Sequence, residues 1–145
     1  MTVPAEIVDG SGSRSKVRVS SIGQLTVAPF AYDETKFVEL AVDNTAYNFY
    51  APKAGKQFVI TGVNAKADRD VSTTVYAVVI VYEAASASTT TVDKSLFQDA
   101  MVRGEKVTMM PLNILVNAGK YVNAKTTDDD IHMTIMGYYI PELPT

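Results

Sequence analysis

The chain has no cysteine, no tryptophan and a single histidine, His132. Without thiols there is no disulfide and no thiolate metal site, so packing and hydrogen bonds must hold the fold. One imidazole leaves little acid–base chemistry near neutral pH. No Gly-x-Ser-x-Gly elbow accompanies it, and a lone histidine is more often structural or exposed than catalytic. No phosphate-cradling loop is present, because Gly10-Ser-Gly12 neither follows a strand pattern nor opens a helix. Charge is sparse and balanced: 13 Lys and Arg against 16 Asp and Glu give a formal net charge of −3, with no basic cluster. Direct nucleic-acid binding, which needs a cationic footprint, is not expected. The first ten residues carry no basic stretch and no apolar run, so no secretory signal is expected. The longest apolar run, Tyr76–Tyr82, is far shorter than the roughly 20 residues of a membrane-spanning helix. These absences together predict a protein that is not an enzyme, takes no metal or cofactor, and is not embedded in a membrane.

What the chain does have is β-branched and aromatic residues in short runs separated by turn signals. At 145 residues it is long enough for one domain with a solid core. Residues 1–15 read as a flexible N-terminal arm, polar and glycine-containing. The remainder, 16–145, reads as one β-sandwich domain. Alternation marks strands at Lys16–Ser20, Gln24–Ala28 and Phe37–Val42, the last with Val38, Leu40 and Val42 on one face and Glu39 on the other. Tyr47–Tyr50 is a short aromatic strand, and Pro52–Gly55 a tight turn with proline second and glycine fourth. Gln57–Ala67 and Val75–Glu83 are long strands. Ala84–Thr91, built of alanine, serine and threonine, reads as a surface loop. Pro111 divides strand-like Lys106–Met110 from Leu112–Val116. Asn117-Ala-Gly119 reads as a hairpin turn into Lys120–Ala124, and Ile131–Ile140 closes the chain with Ile131, Met133 and Ile135 on one face. Asp93–Arg103 breaks the period. Leu96, Phe97, Ala100 and Met101 stand at helical spacing behind a capping Asp93 and before Gly104, which predicts one short helix. The expected fold is therefore all-β: an antiparallel jelly-roll-like β-sandwich with one short helix.

Val75–Tyr82 is apolar in both phases. Val75, Ala77, Val79 and Val81 form one set, and Tyr76, Val78, Ile80 and Tyr82 the other. A sandwich strand normally has one wet face, and leaving large apolar side chains in water costs about 1.5–3 kcal/mol each. The outer set is therefore expected to be covered, in part by the short helix and mainly by a neighbouring copy in a closed homo-oligomer. Val75, Tyr76, Val78, Ile80 and Tyr82, with the aromatic pair Tyr138 and Tyr139, are the candidate partner-binding residues. Thr127-Asp128-Asp129-Asp130 is the densest acidic cluster, but it lacks the spacing of a calcium loop and reads as a solvated turn. No pair of carboxylates is singled out for glycoside hydrolysis.

Three stretches carry a resemblance: Val42-Asp-Asn-Thr-Ala-Tyr-Asn-Phe49, Pro52-Lys-Ala-Gly-Lys-Gln-Phe-Val-Ile-Thr-Gly62 and Val79-Ile-Val-Tyr-Glu83. Pro111-Leu-Asn-Ile-Leu-Val-Asn-Ala-Gly-Lys-Tyr-Val-Asn123 and Thr134-Ile-Met-Gly-Tyr-Tyr-Ile140 add to it. Together these runs, spanning about Gln24 to Ile140, resemble small jelly-roll virion proteins of tailed bacteriophages. The resemblance implies a capsid decoration or cement protein, a trimer, bound to the phage major capsid protein on the virion surface after assembly in the host cytoplasm. Its alternative implication is a head-fibre or tail adsorption module that binds a host-surface glycan or protein. It assigns no functional residue.

Overall fold

The computed structural model describes residues 34–68, 76–128 and 130–142, with the backbone at 7–8 and 14–15. The chain divides into two units, Met1–Phe30 and Ala31–Thr145. In the first, strand β1 (Ile7–Val8) pairs antiparallel with β2 (Arg14–Ser15), inside the segment expected to be an arm. The expected strands at Lys16–Ser20 and Gln24–Ala28 lie outside the described residues.

The second unit is an antiparallel β-sandwich, all-β throughout its described residues. Its strands are β3 (Glu34–Leu40), β4 (Tyr47–Tyr50), β5 (Lys56–Ala67), β6 (Ala77–Ala84), β7 (Lys94–Met101), β8 (Lys106–Met109), β9 (Ile114–Leu115), β10 (Tyr121–Thr126) and β11 (Ile131–Pro141). One sheet has the order β4-β10-β6-β7. The other has the order β3-β11-β5-β8, with β9 also paired to β5. Apart from the β6–β7 hairpin and the β8–β9 pair along β5, every successive strand changes sheet. The core is thus built from residues far apart in sequence.

Alternation explains which side chains form that core. Ile131, Met133 and Ile135 of β11 are fully buried, and the register sets Leu40 of β3 and Ala67 of β5 on either side of Ile131. Val79 and Val81 of β6 and Val122 and Ala124 of β10 face them from the other sheet. In β5 the pairing slips at Thr61, where Met136 opposes Gly62 and Gly137 opposes Ile60. This bulge lets Phe58, Ile60, Val63 and Ala65 all point inward although their spacing is not a strict two. Beside it, β11 passes very close to β5. A Cβ on Gly137 would lie 2.2 Å from the Val59 carbonyl oxygen and 2.5 Å from the Phe58 ring, so only glycine fits.

One buried charge belongs to the framework. The Glu83 carboxylate is fully buried and accepts hydrogen bonds from the Asn117 backbone N–H and Asn117 Nδ2, both at 2.9 Å. Lys94 Nζ stands 3.8 Å away. A carboxylate out of water is tolerated only with such partners, and here they tie the end of β6 to the turn before β10.

The short helix expected over Asp93–Arg103 is not present: Lys94–Met101 is strand β7. Phe97 opposes Val81 and Ser95 opposes Tyr82, leaving Leu96 as the extra residue of a bulge. Leu96 and Phe97 therefore both pack on the core, and Met101 is buried further along. Adjacent apolar residues followed by a gap imitate a helix, but from Phe97 to Met101 the period is two. Three smaller expectations also change. Val42 lies beyond the end of β3 and is exposed. The turn after β4 is shifted by one residue: Lys56 N–H closes on the Lys53 carbonyl, with Gly55 third at a φ of 66°. Asn117–Gly119 does form a turn, closed by Lys120 N–H on the Asn117 carbonyl, but it joins strands of different sheets and is not a hairpin.

Candidate functional site

The sandwich has two outer faces. On the four-stranded sheet, Val78, Ile80 and Tyr82 of β6 point outward beside Lys125 and Asn123 of β10. The stretch 85–91 folds back over them. The Tyr82 hydroxyl donates to the Thr89 carbonyl at 2.8 Å. Asn123 Nδ2 donates to the carbonyls of Ser86 at 2.9 Å and Thr89 at 3.3 Å, while Asn123 Oδ1 accepts from Asn48 Nδ2 at 3.0 Å. Lys125 Nζ donates to the Thr90 carbonyl at 2.8 Å and lies 5.6 Å from the Tyr82 ring centre. Tyr82 is left with no exposed surface, and burial pushes its phenol pKa up, against the hydrogen bond from Asn123. Over Tyr82, then, the cover is the chain's own alanine/serine/threonine loop, not the expected helix. Val78 and Ile80 remain half-buried.

The outer face of the five-stranded sheet is different. β11 contributes His132, Thr134, Met136, Tyr138 and Ile140, all half-buried. The register sets Phe37 beside Thr134, Gly62 beside Met136 and Val59 beside Tyr138. Phe37 is 60% exposed and Met110 43% exposed. The Met110 and Met136 side chains meet over Gly62, within 3 Å of where its Cβ would stand. An apolar patch thus crosses the sheet from Phe37 to Met110. At one end a charged row runs along the register from Glu39 through His132 and Lys66 to Lys106. The His132 ring meets Phe37 edge-on at 5.7 Å, with Glu39 and Asp68 oxygens 4.0 and 3.9 Å from Nε2. That setting places the imidazole on the outer face of the sheet, between an aromatic ring and two carboxylates.

A cleft of about 610 Å³ opens near the β3 and β4 backbones, lined by Glu34, Lys36, Asn48, Tyr50, Lys53 and Tyr139 among others. Its charges already engage one another. Lys53 Nζ sits 2.5 Å from Glu34 and 3.8 Å above the Tyr139 ring centre, and Lys36 Nζ donates to the Asn48 carbonyl at 2.8 Å. The Tyr50 hydroxyl donates to the Ile135 carbonyl and the Tyr139 hydroxyl to the Ala51 carbonyl, both at 2.7 Å. Burial, with Glu34 adding to it, holds the Tyr50 phenol well above its ordinary range, and burial also raises Tyr139. The polar groups named here thus bond one another and the adjoining backbone.

The candidate partner-binding residues do not form one patch. Tyr76 precedes β6 and is 62% exposed, Val78 and Ile80 share the outer face of the four-stranded sheet, and Tyr82 is sealed beneath the loop. Tyr138 is on the outer face of the other sheet. Tyr139, its neighbour in the strand, points the opposite way, against Phe58 at 4.9 Å and the cleft. Val75 lies outside the described residues, as does Asp129 of the acidic turn. Sequence reasoning missed Phe37, Met110 and Met136; the signal for Phe37 and Met136 was the outward phase of β3 and β11, and Met110, past the end of β8, had none. Among the described residues no group of three or more His, Asp or Glu side chains is placed to hold a metal ion, and no helix is long and apolar enough to cross a membrane. No protein-family model and no curated protein matches this chain.

Proposed function

We propose that this chain is a structural virion protein that decorates and stabilises a bacteriophage capsid as cement, with the major capsid protein as its partner. The observation that supports this reading best is the apolar outer face of the five-stranded sheet. Phe37, Met110, Met136 and Tyr138 spread across several strands with the charges set to one end, which is surface suited to protein contact rather than to a small ligand. The resemblance to small jelly-roll virion proteins supplies the capsid. The mechanism is mass action: a protein that binds only the assembled shell stabilises it in proportion to RT ln(1 + [L]/Kd). Imaging the native particle at side-chain resolution tests the reading. Density for the sandwich at joints between capsid subunits is expected. Density at a fibre or tail tip moves the assignment to host adsorption, and absence from particles overturns both.

A further inference from the structure

The two ends of the charged row on the outer face of the five-stranded sheet are complementary in charge. In strand order β3-β11-β5-β8, the register gives Glu39, His132, Lys66 and Lys106 side by side. The row is acidic at the β3 edge, where Glu39 is half exposed, and basic at the β8 edge, where Lys106 is exposed. From these positions we infer that the occupant of this face is a second copy of the chain, stacked sheet on sheet about a two-fold axis parallel to the strands.

The geometry follows from that axis. A two-fold along the strands keeps each row at its own height and exchanges left with right. β3 of one copy then lies over β8 of the other, and β11 over β5. Glu39 faces Lys106 of the second copy, twice over, and His132 faces Lys66. Below the charged row Phe37 comes over Thr108 and Thr134 over Asn64, whose side chain already donates to Thr108 at 3.0 Å, and in the next row Met136 comes over the Gly62 strip. Aligned packing of two twisted sheets about 10 Å apart is a standard arrangement. At ordinary strand spacing and rise the face measures about 20 by about 27 Å, so two copies bury on the order of 1,000 Å², the size at which specific interfaces begin. Any other rotation about the face normal sets Glu39 against apolar rows or Lys106 against Lys106. The row therefore selects a two-fold pair in place of the trimer implied by the resemblance.

This rests on reading the face as a contact surface; the pair buries that face, so the capsid would be met by the remaining surface of the pair. The test is sedimentation of the full-length chain at low salt, at tens of micromolar. The native protein should run as a dimer. Glu39→Lys alone and Lys106→Glu alone should each weaken pairing by on the order of tenfold or more, because each puts like charges together at both ends. The two variants mixed should pair with one another, since every reversed charge then meets its opposite. The double variant Glu39→Lys/Lys106→Glu should regain the native dimer. A monomeric native protein, a trimer, or single variants that pair as well as the native chain overturns the inference. None of these outcomes bears on whether the protein is found on particles, which imaging decides separately.

Discussion

The two outer faces of the sandwich begin from the same condition and resolve it differently. Each has a strand whose outward positions are largely apolar: Val78, Ile80 and Tyr82 on β6, and Met136, Tyr138 and Ile140 on β11. On β6 the apolar row includes a phenol, and next to it on β10 stands Asn123. Those two polar atoms capture the backbone carbonyls of Ser86 and Thr89 and fold the following loop onto the sheet. Around Met136 the register neighbours are Gly62 and Thr35, and Asn64 on the adjoining strand donates within the sheet, to Thr108 Oγ1 at 3.0 Å, not to a loop lying over it. The lesson is that hydrophobicity alone does not decide how a sheet face is covered. On β6 the phenol and the neighbouring amide hold the chain's own backbone over the apolar row, whereas on the other sheet the polar side chains bond within the sheet.

The comparison can be broken most forcefully at Tyr82. Tyr82→Ala removes the ring beneath the loop and should cost about 3–5 kcal/mol of unfolding free energy, read from urea denaturation, as for other large buried aromatics. A cost under 1 kcal/mol would mean that the loop does not seal the face. Asn123→Ala comes next. It strands the Ser86 and Asn48 partners and should cost about 1–3 kcal/mol, with faster amide exchange confined to 85–91. Tyr82→Phe isolates one hydrogen bond and should cost about 1 kcal/mol at neutral pH. It also carries a pH signature. Burial holds the folded-state pKa of Tyr82 above its ordinary value of 10.0, so its contribution is fully present below pH 10 and is lost as pH rises through the folded value. The urea midpoint of the native protein should therefore fall more steeply above pH 10 than that of Tyr82→Phe. Tyr50, raised in the same sense, contributes equally to both curves. The smallest effect on folding belongs to the open face. Phe37→Ser should change stability by less than about 0.5 kcal/mol, as an exposed substitution, while weakening self-association measured by light scattering.

Much of this was legible beforehand, and the failures share a cause. Both phases of Val75–Tyr82 announced that the strand is covered on two sides, and it is at Tyr82. The identity of the cover was not legible, because 85–91 bonds through main-chain carbonyls, about which side-chain composition says nothing. Gln57–Ala67 was likewise readable as a long strand, while the bulge at Thr61 was not. The bulge at Leu96 went further and turned strand β7 into an apparent helix, since one extra residue moves Leu96 and Phe97 onto the core together. Tyr138 and Tyr139 show a rule available but left unused: neighbours in a strand point to opposite sides, so they could never share a patch. The open face around Met136 needed the lateral strand order, which is set by partners distant in the chain.

Gly137 has a consequence for how β11 finds its place. This strand lies between two neighbours, and a shift of one residue would already turn its outward row, His132 and Thr134 included, toward the core. At Gly137, moreover, the gap to the Val59 carbonyl admits no side chain. Were the strand threaded one position early or late, Met136 or Tyr138 would arrive at that gap and collide with the main chain. A single missing methyl group therefore serves as an alignment notch, and the last strand of the sandwich can lock home in only one setting.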